Sequence, residues 1–133
     1  MRTLIPLRGS KPVTLPADRN IYLYRADIQR AFTSAYPGQP LLKGPVALEV
    51  TFWFRRPDNH YMPETKTRGH REVLRTAAPD YMAKSPDLDK LVRAICDALT
   101  GFAYHDDAQV SEVVAKKYWG GEDVTDVNVE EER

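Results

Sequence analysis

From Val46 to Phe54 every second residue is apolar, so that Val46, Leu48, Val50, Phe52 and Phe54 share one face. A period of two is that of a strand with a buried side. Gly44-Pro45 before it and Arg55-Arg56-Pro57 after it bound the element. From Leu88 the period changes: Leu88, Leu91, Val92, Ile95, Ala98, Leu99 and Phe102 keep helical spacing. At about 100° per residue these positions fill one arc, while Asp89, Arg93 and Asp97 stack at i, i+4, i+8 on the opposite one. Ser85 or Asp87 is placed to cap the first turn of this helix.

Weaker patterns fill the rest. Ala26, Ile28, Ala31, Phe32 and Ala35 predict a short helix from Arg25 to the stop at Tyr36-Pro37-Gly38. A strand is expected from about Val110 to Trp119, then a Gly120-Gly121 turn, then a last strand around Val124 to Val129. The opening runs Thr3 to Leu7 and Pro12 to Pro16 suit edge strands or an irregular start, because proline and Gly9 interrupt them. Between the first long strand and the second helix about thirty residues lack a long period, with His70 to Ala78 as a candidate short helix. A loop of that length is unusual in a compact domain unless it binds something or is disordered. The order strand, helix, strand, helix, strand, strand predicts an α/β (α+β) layer fold: a small mixed sheet against two or three helices. A single domain over residues 1–133, with a basic loop insertion at about 56–85, is the expected organisation.

Composition narrows the class. At 133 residues and 42% apolar content the chain can build one core without disulfide or structural metal. Cys96 is the only cysteine, and no charged leader precedes an apolar run with a cleavage site, which together read as cytoplasmic. No stretch approaches the roughly 20 apolar residues of a membrane span. One cysteine and three scattered histidines offer no zinc-finger spacing.

The formal net charge of zero hides a polarity. Arg55, Arg56, Lys66, Arg68, Arg71, Arg75 and Lys84 outnumber the four acids between them by three, whereas the tail from Glu122 carries six acids against Arg133. A basic stretch of this kind is either a solvated face or a phosphate contact. Arg55, Arg56, Lys66, Arg68, Arg71 and Lys84 are the candidate DNA contacts, with His60 and Tyr61 as residues that could stack on an exposed base. Phe52, Trp53 and Phe54 read instead as core or dimer surface, since they lie in an apolar strand.

The acids suggest metal chemistry. Asp87 and Asp89 at the start of the second helix, Asp97 within it, and Asp106 and Asp107 just after it are expected to converge. Magnesium takes oxygen ligands, usually one or two carboxylates with water and phosphate oxygens. A lone Asp-x-Asp is more often a cap, and Asp-Asp more often a turn. The whole run decides between these: Pro86-Asp87-Leu88-Asp89-Lys90-Leu91, Arg93, Asp97-Ala98-Leu99 and Asp106-Asp107-Ala108-Gln109-Val110. It resembles the signature of the RusA-type Holliday-junction resolvases, which reads Asp-x-Asp-Asn-Leu-x-Lys, then Asp-Ala-Leu, then Asp-Asp-x-Gln-Val.

That resemblance implies a homodimeric crossover junction endodeoxyribonuclease of bacterial or phage origin, acting in DNA recombination and repair. Its two sites would nick opposed strands of a four-way junction by magnesium-dependent hydrolysis, with manganese as the alternative ion. Carried over by position, Asp87, Asp89 and Asp107 match the catalytic, metal-binding aspartates. Asp97 matches another acidic position, and Asp106 is read as a neighbour shaping the turn. Two residues depart from the pattern: Lys90 replaces the family's asparagine and Arg93 its lysine. Arginine can clamp a phosphate but cannot give up a proton, so Lys90, about 60° round the helix, is the candidate for proton handling. The alternatives are a non-cleaving module of the same fold that binds branched DNA, and a general metal nuclease acting on flaps or single strands.

Overall fold

The computed structural model describes residues 4–5, 15–16, 21–67 and 73–132, with side chains for 25–67 and 73–132. Its organising element is the alternating strand. This is β3 (Val46–Arg55), preceded by β1 (Leu4–Ile5), β2 (Leu15–Pro16) and helix α1 (Ile21–Ala35), and followed by helix α2 (Leu88–Leu99), β4 (Val110–Gly120) and β5 (Val124–Glu131). The fold is α+β, a mixed sheet packed against two helices.

β3 lies between β4, which runs parallel to it, and β5, which runs antiparallel. The Gly120-Gly121 turn therefore does not close a hairpin: its two strands are separated by β3, and residues 121–123 pass across the end of that strand. The Arg55 amide, beyond the last β3–β5 pair at Trp53 and Val124, donates to Asp123 Oδ1 at 2.8 Å. β1 and β2 both pair with β5, as short edge strands broken by proline should.

The predicted apolar faces meet in one core. Val46, Leu48, Val50, Phe52 and Phe54 of β3 pack with Leu91, Ala94, Ile95, Ala98 and Leu99 of α2 and with Ile28 and Phe32 of α1. Phe52, Ile28, Ile95 and Leu99 are fully excluded from water, each burial being worth about 1.5–3 kcal/mol. Helix α1 begins four residues before the expected Arg25. Among the described residues no helix is long and apolar enough to cross a membrane.

The segment after β3 departs from expectation. Described residues 73–78 form no helix; Leu74 makes an isolated bridge with Tyr61, and the rest of the proposed His70 to Ala78 helix lies outside the described residues. Nor does the segment stand clear of the fold. Tyr61 and Met82 are buried, and residues 80–82 bond to the outer edge of β4 through Trp119 N to Asp80 O (2.8 Å) and Met82 N to Lys117 O (3.1 Å).

Candidate active site

Asp87 occupies the N-cap position of α2 with extended backbone, yet its side chain makes no capping hydrogen bond. Its Oδ2 stands 3.5 Å from Lys90 Nζ, and both side chains are exposed. An N-cap carboxylate that forgoes its cap stays available to a ligand, at a cost typically about 1 kcal/mol. Lys117 of β4, which belongs to no motif in the sequence, fixes the approach to this position. Its ammonium donates to the Lys84 and Pro86 carbonyls, both at 2.7 Å.

Asp89 and Arg93 are exposed on α2, one turn apart. Asp97 is only half-exposed, because Arg25 of α1 reaches its Oδ2 at 2.9 Å and ties the two helices together. Asp106 and Asp107 belong to a 3-10 turn (Asp107–Gln109) that leads into β4. Asp106 Oδ1 accepts from the Ala108 amide at 3.0 Å, so this residue shapes the turn as expected.

Gln109 locks that turn in place. Its Oε1 accepts from the His105 and Asp106 amides at 2.9 and 3.0 Å, while its Nε2 donates to the Leu42 and Gly44 carbonyls at 2.9 and 3.0 Å. All four hydrogen-bonding positions of the amide are filled. Immediately beyond it the pairing of β3 with β4 shifts register, between Val46 opposite Val110 and Ala47 opposite Glu112.

The electrostatics single out Asp107. Its carboxyl is raised above the ordinary range, first by the hydrogen bond with the Asp106 side chain and further by the charges of Asp106 and Asp97, with Arg93 opposing. Asp106 is correspondingly lowered, chiefly by the Ala108 amide and then by Asp107. Asp107 thus belongs with Arg93 and Asp97 beside the second half of α2. The five aspartates do not converge on one end of the helix, since ten residues of helical rise separate Asp87 from Asp97 by about 15 Å. Behind them Cys96 is pushed up by burial, and the fully buried Tyr104 donates to the Cys96 carbonyl at 2.9 Å.

The donors fit magnesium in kind, being exposed oxygens, and two carboxylates suffice where phosphate and water complete the sphere. They do not form a ready-made cage. Among the described residues no three His, Cys, Asp or Glu side chains are gathered closely enough to hold a metal ion.

The expected DNA contacts separate into three groups. Arg55, Lys66 and Lys84 are exposed. Arg56 is buried: its guanidinium donates to the Pro79 carbonyl at 2.7 Å and lies 3.7 Å from Asp80, so it braces the fold instead of presenting a free charge. Arg68 and Arg71 lie outside the described residues. The expected stacking residues are also committed elsewhere. Tyr61 is buried, and His60 packs edge-on to Trp119 at 5.1 Å, its pKa lowered by burial and then by Arg56 and Lys84.

The profile of the family described as Endodeoxyribonuclease RusA matches residues 10–130 of the chain. A comparison with curated proteins gives no match.

Proposed function

Since the chain belongs to the RusA family of endodeoxyribonucleases, we propose that it is a magnesium-dependent nuclease that resolves four-way DNA junctions, with a homodimer nicking opposed strands in pairs. The observation that carries this reading is the position of Asp107, in the turn that Gln109 fixes through the His105 and Asp106 amides, beside Asp97 and Arg93 of α2. Carboxylates crowded at the surface weaken a fold unless a cation relieves them.

By family position Asp87, Asp89 and Asp107 would hold the ion, with manganese able to replace magnesium; among the described residues these three do not gather, so the reading requires the ion to draw Asp107 toward the start of α2. Bound there, the ion would polarise the scissile phosphate and lower the pKa of an attacking water. Arg93, one turn after Asp89 and within the field of Asp107, clamps a phosphate oxygen and balances charge in the transition state. Lys90, beside Asp87, is the group able to hand over a proton, which Arg93 cannot do. Arg55, Lys66 and Lys84 supply phosphate contacts along the strand, joined in the proposal by Arg68 and Arg71.

One observation favours a second reading, a branched-DNA-binding module without cleavage: among the described residues no three carboxylates gather. A labelled synthetic four-way junction, with and without magnesium, beside a duplex of equal length and the Asp89→Asn variant, separates the two. Paired nicks that need metal and vanish in the variant support the resolvase. Tight junction binding without nicks under any divalent metal supports the module.

A further inference from the structure

With His60 and Tyr61 packed away, the aromatic surface of the molecule lies elsewhere. Trp53 of β3 and Tyr118 of β4 are register partners, so both side chains stand on the sheet face opposite Phe52 and Phe54 and therefore away from the helices. Their rings stack at 6.1 Å and 29°. Tyr81 continues the row, its ring 5.0 Å from Tyr118 at 31°. The outermost ring, Tyr81, is 63% exposed, yet its backbone is pinned to β4 on both sides by the Asp80 and Met82 hydrogen bonds. A column of rings held rigid and ending in water pays almost no ordering entropy when a flat partner docks on it.

The surroundings define that partner. The hollow around the column, about 300 Å³, is lined also by Trp119, which in turn lines a neighbouring cleft of about 540 Å³ where Arg55 and Lys84 stand beside Asp58 and Asp123, the last already holding the Arg55 amide. Along the sheet face Arg55 lies two residues beyond Trp53, and Lys116 two before Tyr118. Exposed Asp80 at the column's rim repels phosphate from the rings themselves. Apolar π-faces with cations a few residues away match a nucleotide, with its base on the rings and its phosphate in the cleft.

We propose that Tyr81, backed by Tyr118 and Trp53, is a stacking platform for one unpaired base of the DNA strand, whose phosphate lies in the Arg55–Lys84 cleft. This rests on the branched-DNA reading above and adds to it a subsite for an unstacked nucleotide. The chain supports the placement, for Tyr81 lies six residues before Asp87, and Lys117, next to Tyr118, grips the Lys84 and Pro86 carbonyls between them.

The probe is a four-way junction carrying 2-aminopurine at single positions around the crossover, with a nicked duplex lacking unpaired bases as control. Wild-type protein should quench the fluorescence at one position. Tyr81→Ala should remove that quench and weaken junction binding roughly tenfold, leaving duplex binding unchanged, and Tyr81→Trp should restore both. Junction binding and quenching unaltered in Tyr81→Ala, with wild-type cleavage intact, would overturn the platform alone. A wild-type protein that binds no junction at all would remove the branched-DNA reading and the platform together. A change of oligomeric state in Tyr81→Ala, without loss of quench, would assign the column to a second copy of the chain and also overturn it.

Discussion

The Gln109 side-chain amide donates to the Leu42 carbonyl at 2.9 Å, joining the turn that carries Asp107 to the loop that leads into β3. With three further hydrogen bonds from the same side chain, one residue sets where Asp107 stands. Gln109→Glu keeps the shape but loses both donors, and at neutral pH it faces two carbonyl oxygens with a carboxylate. The expected loss is about 2–4 kcal/mol, with junction cleavage falling further than stability explains. Urea unfolding at pH 7 and pH 4 checks it: protonation returns one donor, so part of the loss should be recovered at acid pH.

Lys117 offers a parallel test at the other end of α2. Lys117→Met preserves the stem and removes the ammonium from the Lys84 and Pro86 carbonyls. Lys84 is exposed and Pro86 half-buried, so the stability loss should be modest, about 1 kcal/mol. Cleavage should fall about tenfold or more through displaced Asp87. Thermal melts set beside single-turnover cleavage separate the two effects. Equal, small losses in both would reduce Lys117 to a structural contact.

Asp106 and Asp107 should respond to pH with opposite signs. Asp107 has its folded-state pKa raised by Asp106, so its ionised form penalises the folded chain once pH rises past that value. Asp107→Asn should therefore raise the melting temperature at pH 7 while abolishing cleavage, and the gain should vanish below the usual carboxylate range. Asp106 has its pKa lowered, first by the Ala108 amide; it stabilises above the unfolded value and loses that contribution as pH falls through its lowered one. Asp106→Ala should lower the melting temperature at pH 7 and converge on wild type in acid. Melting curves from pH 7 to pH 3 at low ionic strength read both, since salt screens such exposed charges.

Much of this arrangement is legible in the sequence, for identifiable reasons. β3 and α2 each keep one period over many residues, and burial follows the period. What pattern does not encode is which strands become neighbours. The two-glycine turn after β4 looks like a local reversal, but β3 inserts between β4 and β5 and takes the hydrogen bonds of both. Charge misleads in a similar way: Arg55 and Arg56 are adjacent and chemically identical, yet the strand's alternation exposes one and buries the other against Pro79. Lys117 and Tyr81 carry no local signature, because their importance comes from partners more than thirty residues away. The turn residue Gln109 was in the motif, and only its four hydrogen bonds show what it does there.

The replacement of the family's lysine by Arg93 yields the sharpest test. Lys90 Nζ lies 3.5 Å from Asp87, exposed, while Arg93 opposes the charge on Asp107. If Arg93 acts as a phosphate clamp, Arg93→Lys keeps the charge and loses only two-pronged geometry, so cleavage should fall less than tenfold. If Lys90 hands a proton to the reaction, Lys90→Ala should cost about 100-fold or more, and the alkaline limb of the rate profile should shift. Lys90→Arg separates proton handling from simple charge. Arginine keeps the ion pair with Asp87 but holds its proton, so it should be nearly as damaging as alanine. Rescue by Lys90→Arg would make Lys90 an electrostatic partner of Asp87, and a larger loss in Arg93→Lys than in Lys90→Ala would reject the proton-handling role outright.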